Sequence, residues 1–141
     1  MNLQYRMADK EDIPKINDLA KDLIDQYEDI SAIDYEKVLA WVNRKIETHI
    51  SEYCCVQTEG QTCAYYRLCE DGELDDLYVL PGFQNQGIGS EIMKKCIAQS
   101  RKPLYFYVFS RNTRAISFYQ RFGFHVQKTI GNTRLIMSRN G

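Results

Sequence analysis

Hydrophobic and polar positions along the chain change period several times, and each change marks an element. Leu3, Tyr5 and Met7 alternate with Gln4 and Arg6, which predicts a short half-buried strand over Asn2–Met7. Ile13, Ile16, Leu19, Ala20, Leu23, Ile24 and Tyr27 then recur at helical spacing. Asp9 or Asp12 can cap that helix, with Pro14 in its first turn. Glu28-Asp29-Ile30-Ser31 breaks the period and reads as a loop, open to a position over a binding cleft. A second amphipathic helix is expected from about Asp34 to His49, with Tyr35, Val38, Leu39, Val42 and Ile46 inward.

Tyr53–Thr58, Thr62–Cys69 and Glu73–Val79 have strand character and are separated by Glu59-Gly60 and Asp71-Gly72. Acid–glycine pairs between apolar runs are hairpin signals, so the three are expected to form an antiparallel meander. The third run breaks strict alternation, because Leu74 and Leu77 differ in parity while Leu77 and Val79 agree. Either helices cover both of its faces or a bulge shifts its pleat. Beyond the turn at Pro81-Gly82, a helix runs from Gly87 to about Ser100, with Ile88, Ile92, Met93, Cys96 and Ile97 on one side. Leu104–Phe109 is an unbroken apolar run, which suits a strand buried on both faces. The strand–helix–strand order makes the Glu73 and Leu104 strands a parallel pair. Asn112 can cap a further helix whose inward face is Ala115, Phe118, Tyr119 and Phe122, with Gly123 ending it. Phe124–Thr129 and Thr133–Ser138 follow as a hairpin through Gly131-Asn132. The expected class is mixed α/β (α+β): a mostly antiparallel sheet with one parallel pair, flanked by helices.

At 141 residues the chain is expected to be one domain over 1–141. Its 44% hydrophobic and 26% charged residues are globular values, which argues against disorder. A formal net charge of -1 gives no general pull toward nucleic acid or an anionic membrane, so neither is expected as a partner. No apolar run approaches the roughly 20 residues that span a bilayer. The first residues, MNLQYRMADKED, hold no apolar signal core, and the expected location is cytoplasmic. The five cysteines form no C-x-x-C pair, and the two histidines, His49 and His125, sit near no ligand pattern. They read as small hydrophobes in a reducing compartment, with no metal and no cysteine nucleophile expected.

Chemistry concentrates in Leu74–Lys95, where a strand, a glycine-bearing loop and a helix follow one another. A helix's first turn leaves N–H groups unpaired and carries partial positive charge, so this order can hold an anion. Gly87 and Gly89 would let a phosphate approach the backbone. An ordinary loop with glycines for tight packing is the competing reading.

Two stretches resemble a known family. Gln84-Asn85-Gln86-Gly87-Ile88-Gly89 looks like the Q/R-x-x-G-x-G/A signature of the GCN5-related N-acetyltransferases (GNAT family). The run from Asn112 to Phe124 resembles that family's N-x-x-A-x-x-F-Y-x-x-x-G-F pattern. The two stand in the family's order, separated by a helix and an apolar strand. Asn85 departs from a common Gly or Arg and Gln84 from a common Arg. A loop that binds through backbone N–H groups should tolerate such changes at little cost.

The resemblance implies acetyl-CoA as cosubstrate, without a metal, and a splay between the two parallel strands. Its pyrophosphate would lie on the amides of Gln86, Gly87, Ile88, Gly89 and Ser90, beside Gln84 and Asn85. Leu77 and Val79 would bond its pantetheine arm, and Asn112, Ala115, Phe118 and Tyr119 would complete the cofactor site. Acyl transfer to an amine then requires a neutral nucleophile, a stabilised oxyanion and a protonated leaving thiolate. Only about one alkyl amine in a thousand is unprotonated at neutral pH. Glu73, Asp75 and Asp76 are the nearby carboxylates, and the family pattern points to Glu73 as base. Val79 N–H would hold the oxyanion and Tyr119 would serve as general acid, against a plain packing role for Tyr119. Tyr65, Tyr66 and Trp41 read as core residues before acceptor-pocket residues.

The expected function is an N-acetyltransferase acting on a primary amine, a small cationic metabolite being favoured by the acidic strand. The alternatives are a non-catalytic acyl-CoA-binding sensor or scaffold, a protein amine acetyltransferase, and a nucleotide-binding module. The last lacks a Walker Lys and a Rossmann-spaced acid. A monomer and a homodimer are both compatible with the C-terminal hairpin's exposed edges.

Overall fold

The computed structural model describes residues 2–139. The elements run β1 (Gln4–Met7), α1 (Ile13–Tyr27), α2 (Tyr35–Thr48), β2 (Tyr53–Thr58), β3 (Gln61–Leu68), β4 (Leu74–Val79), α3 (Ile88–Gln99), β5 (Tyr105–Phe109), α4 (Thr113–Gln120), β6 (His125–Ile130) and β7 (Arg134–Ser138). This is the α+β order that periodicity predicts, with boundaries moved by a residue or two. Asp9 caps a short 3-10 turn ahead of α1 and forms a capping box with Asp12. Asp34 caps α2 by accepting from Lys37 N–H, and Asn112 caps α4 by accepting from Ala115 N–H at 3.1 Å.

β1 to β4 form one antiparallel sheet in chain order, and β5, β7 and β6 form a second. The meander predicted for β2, β3 and β4 is present. The third strand resolves its parity conflict with a bulge. Leu68 pairs with Leu74 and Arg67 with Asp76, which leaves Asp75 as the extra residue. That insertion turns Leu74, Leu77 and Val79 toward one core despite their mixed parity.

The expected parallel pair is reduced to a single bridge, Glu73 with Tyr105. Tyr105 N–H donates to Gly72 O at 3.1 Å there, and beyond it β4 and β5 belong to separate sheets. Gly72 is required at this crossing. Its φ is 99°, and a Cβ would collide with the carbonyl of Pro103.

β5 corrects the reading of a strand covered on both faces. Phe106 and Val108 are buried, whereas Tyr107 is 48% exposed. Helices α3 and α4 shield only one face of the second sheet, and Tyr carries a polar tip that tolerates water on the other. Trp41, expected in the core, is 59% exposed on α2, while Tyr65 and Tyr66 are buried.

Two apolar clusters result. One gathers Ile88, Ile92, Met93 and Cys96 of α3 with Phe106, Val108, Phe124 and Met137, with α4 packed against it. The other joins Ile16, Leu19 and Ala20 of α1 to Ile46, Tyr53, Tyr65 and Tyr78 on the opposite face of the first sheet. β4 contributes to both, so the strand facing the cleft is held rigidly from two sides. Among the described residues no helix is long and apolar enough to cross a membrane.

Candidate active site

The separation of β4 from β5 leaves a cleft of about 960 Å³ between the end of β4, the start of α3, α4 and one side of α1. Its size lies within the range of small-molecule sites. Leu77, Val79, Gln84, Asn85, Gly87, Ile88, Gly89, Ser90, Asn112, Ala115, Phe118 and Tyr119 all line it. Gln86 does not, and its side-chain amide donates instead to Gly82 O at 3.0 Å.

The strand presents its backbone to this cleft for a simple reason. In an antiparallel pair, alternate residues direct N–H and C=O to the neighbouring strand. Leu80 N–H donates to Cys63 O of β3 at 2.9 Å. Leu77 and Val79 have the opposite parity, so their groups point away from β3 and into the opening. Val79 O is met there by the side chain of Gln84 at 3.1 Å.

Gly87 begins α3 with φ 84°, a left-handed conformation that turns the chain into the helix, and no side chain caps that helix. The first-turn N–H groups are therefore available to a ligand anion. Gly89 serves packing as well, because a Cβ there would lie 3.4 Å from Phe118. Packing against Phe118 is thus seen at Gly89, and an uncapped helix start at Gly87. Asn85 has φ 63°, a left-handed conformation that Asn tolerates better than most residues. Its side chain accepts from Arg114, tying the loop to α4. Arg114 and Arg121 also line the cleft at this end. Side chains of the loop consequently do more than the backbone-only expectation allowed. Uncapped amides, outward strand groups and two guanidinium groups fit a ligand with a long polar arm and a phosphate head.

Tyr119 lies 3.9 Å from Phe106 between ring centroids, and 5.4 Å from Phe118. Burial first, and then the nearby Asp76 carboxylate, push its phenol above the usual value. Glu73 stands apart. It lines a second hollow of about 650 Å³ with Glu52, Arg67, Cys69, Glu70 and Asp71, at the far end of β4. The stretch from Glu73 to Val79 measures on the order of 20 Å along a strand. Burial, then Asp75 and Asp71, raise the Glu73 carboxyl above the ordinary range.

The other two acids of the strand are already paired. Lys45 Nζ reaches Asp75 at 3.2 Å and Asp76 at 3.4 Å. Arg67 donates to Asp75, and Tyr53 OH donates to Asp76 at 2.6 Å. Burial pulls the Lys45 ammonium down, but Asp76 and Asp75 outweigh it and hold it above its usual value. Burial raises the Asp76 carboxyl despite the nearby ammonium. Neither aspartate therefore offers free negative charge, which removes their share of the acidic-strand argument. Sequence spacing hid this, since Lys45 lies on α2, thirty positions before Asp75.

Cys69, Asp71 and Glu73 bring possible ligand atoms within 4.8 Å of one another. Burial pushes the Cys69 thiol up to about 11, against the thiolate that a metal requires. Asp71 is occupied by Tyr105 OH at 2.6 Å and by Glu73 N–H at 2.9 Å.

A family model described as Acetyltransferase (GNAT) family matches residues 16–124. No curated protein matches the chain in sequence. Among solved structures, PaiA N-acetyltransferase from Thermoplasma acidophilum in complex with coenzyme A is similar at 19% identity and a TM-score of 0.71, with 100% of each chain covered. An acetyltransferase from Thermus thermophilus is 20% identical with a TM-score of 0.73, covering 99% of this chain and 97% of that one. YncA, a putative acetyltransferase from Salmonella typhimurium with acetyl-CoA, is 19% identical with a TM-score of 0.61, covering 98% and 91%.

Proposed function

The chain belongs to the acetyltransferase (GNAT) family and is an acyl-CoA-dependent N-acetyltransferase; we propose that it acts as one domain, moving an acetyl group from acetyl-CoA to a primary amine by direct attack in a ternary complex. One observation carries this reading. The outward backbone of Leu77 and Val79, the uncapped turn at Gly87 and the phenol of Tyr119 line a single cleft.

Acetyl-CoA supplies a thioester ready for aminolysis. The α3 amides from Gly87 to Ser90 hold its pyrophosphate, with Arg114 and Arg121 adding charge. Leu77 and Val79 fix the arm along β4, and Val79 N–H donates to the oxygen on which charge develops. A proton leaves the acceptor amine along a file of several waters toward Glu73, because about 20 Å of strand separates that carboxylate from Val79 and a single water does not span it. The raised Glu73 carboxyl is the stronger base for it. Tyr119 donates to the departing sulfur. Its raised phenol keeps the proton, so it stabilises the departing thiolate as a hydrogen-bond donor, and the thiolate takes its proton from solvent on release.

Acceptor preference follows from the charge left over. With Asp75 and Asp76 paired, Glu73 remains with Glu52, Glu70 and Asp71 around the second hollow. Four carboxylates against Arg67 favour a small cationic amine. The test is thiol release from acetyl-CoA with a panel of amines, an amino acid and a lysine peptide. Release with a small amine supports the proposal, and release with the peptide alone moves the acceptor to protein. Tight acetyl-CoA binding with no release above background identifies a sensor or scaffold instead.

A further inference from the structure

Acidic and basic residues divide the chain in two. All nineteen aspartates and glutamates fall within residues 1–91. Residues 92–141 hold ten of the eighteen lysines and arginines and no acid. The fold keeps this division in space. The first portion builds α1, α2 and the first sheet, whereas the second supplies most of α3, all of α4 and the whole second sheet. They meet across the cleft, which Asp22 lines on the α1 side and Arg114 and Arg121 line on the α4 side. A formal net charge of -1 therefore conceals two fields of opposite sign.

The cations of the second portion find few partners in the fold. Lys94 meets Glu91 at 3.7 Å and Arg134 meets Glu28 at 3.5 Å. Among the described residues the other eight have no carboxylate within ion-pair distance. Arg101, Lys102, Arg111 and Lys128 are exposed and line no part of the cleft. Single exposed charges add little to stability, but like charges on one side of a molecule sum to a potential that reaches beyond contact. Below 0.1 M salt that reach exceeds about 10 Å. Pairing within the fold does not consume this charge, so its effect is directed outward.

We propose that this acid-free wall is a capture surface for the phosphate-bearing head of coenzyme A thioesters, drawing it from solvent into the cleft before any contact forms. The inference rests on the seat for coenzyme A in the N-acetyltransferase reading and adds how the molecule arrives there. Free coenzyme A carries the same phosphates as its acetyl thioester, so it is captured in the same way. The sign of the salt effect is diagnostic. A body of uniform charge -1 repels an anion and would bind it faster as salt screens the repulsion. A segregated basic wall attracts it and binds more slowly as salt rises.

Stopped-flow mixing of the full chain with coenzyme A carrying a fluorescent etheno-adenine base tests this without turnover. From about 20 to about 300 mM sodium chloride, the association rate of the natural protein should fall roughly ten-fold. Two double variants then locate the field by shifting net charge equally. Arg111→Glu with Lys128→Glu should lower the low-salt association rate about five-fold and leave the dissociation rate unchanged. Lys10→Glu with Lys15→Glu, on the acidic portion, should leave both rates near those of the natural protein. Equal slowing by the two pairs would make net charge the cause and overturn the proposal. A faster dissociation with unchanged association in the first pair would make those residues direct contacts, which overturns it too. An association rate that is flat or rises with salt, or no binding of coenzyme A, overturns it without any variant. Failure of the acetyltransferase reading shows separately, as absence of thiol release from acetyl-CoA with every amine while capture of coenzyme A persists.

Discussion

The side-chain amide of Gln84 donates to the backbone carbonyl of Val79 at 3.1 Å, closing the loop after β4 back onto the strand that precedes it. The bond fixes the entrance to the cleft where β4 ends. A neutral hydrogen bond of this kind is worth about 1 kcal/mol net, or roughly a five-fold change in an equilibrium. Gln84→Leu is therefore expected to raise KM for acetyl-CoA about five-fold with little change in kcat, measured by steady-state thiol release. A fall in kcat alone would place Gln84 in the chemical step instead.

Tyr119→Phe keeps the aromatic contacts with Phe106 and Phe118 and removes only the hydroxyl. It is expected to lower kcat about 100-fold while acetyl-CoA affinity changes little. Single-turnover measurements should show the same loss; an unchanged chemical rate would return Tyr119 to a packing role.

Glu73 has the sign of its pH dependence set by a raised carboxyl. As a base it works only when ionised, so kcat/KM should rise with pH along a limb placed above the usual carboxylate value of about 4.3. Glu73→Gln should remove that limb and lower kcat/KM about 100-fold. Stability follows the same sign. A raised carboxyl stabilises the fold fully below its unfolded value and loses that contribution as pH rises through the folded one. Glu73→Gln should accordingly be more stable than the natural protein at neutral pH, as urea titration would show.

Lys45→Met leaves Asp75 and Asp76 without their shared ammonium. Removing one side of a buried ion pair costs about 3 kcal/mol, readable as a lower urea midpoint at neutral pH. Asp76, already raised by burial, would rise further without the cation. The deficit should widen between pH 4 and 7, since ionising a raised carboxyl destabilises the fold. A pH-independent deficit would mean that lost packing of the lysine stem dominates.

Gly72→Ala forces a Cβ against the Pro103 carbonyl at φ 99°. A cost of about 2 kcal/mol or more is expected in equilibrium unfolding. Near-natural stability would show that the crossing of the two sheets relaxes easily.

Much of the architecture was legible because it is written locally. Acid–glycine turns, the cap Asn112, and the parity fault at Leu74 and Leu77 each act within a few residues. The residues lining the cleft were reachable through two motifs, since the fold brings Gly87 and Tyr119 together by a short helix and one strand. Three things escaped for the opposite reason. The pairing of Asp75 and Asp76 with Lys45 is decided by α2, far away in the chain. The exposure of Tyr107 depends on which face of the second sheet the helices cover, which an unbroken apolar run does not encode. Glu28 looked like loop polarity, and only the approach of Arg134 from β7 reveals it as a buried anion.

The crossing at Gly72, Glu73 and Tyr105 also sets how the protein can open. Two ladders that share one bridge form a V with its apex at that point, and no main-chain hydrogen bond spans the gap above it. Widening the V strains side-chain packing against α3 and α4 but breaks no rung of either sheet. A long guest can therefore wedge in from the open end and bond the bare inner edge of β4, completing as a surrogate strand the sheet that the chain itself leaves divided.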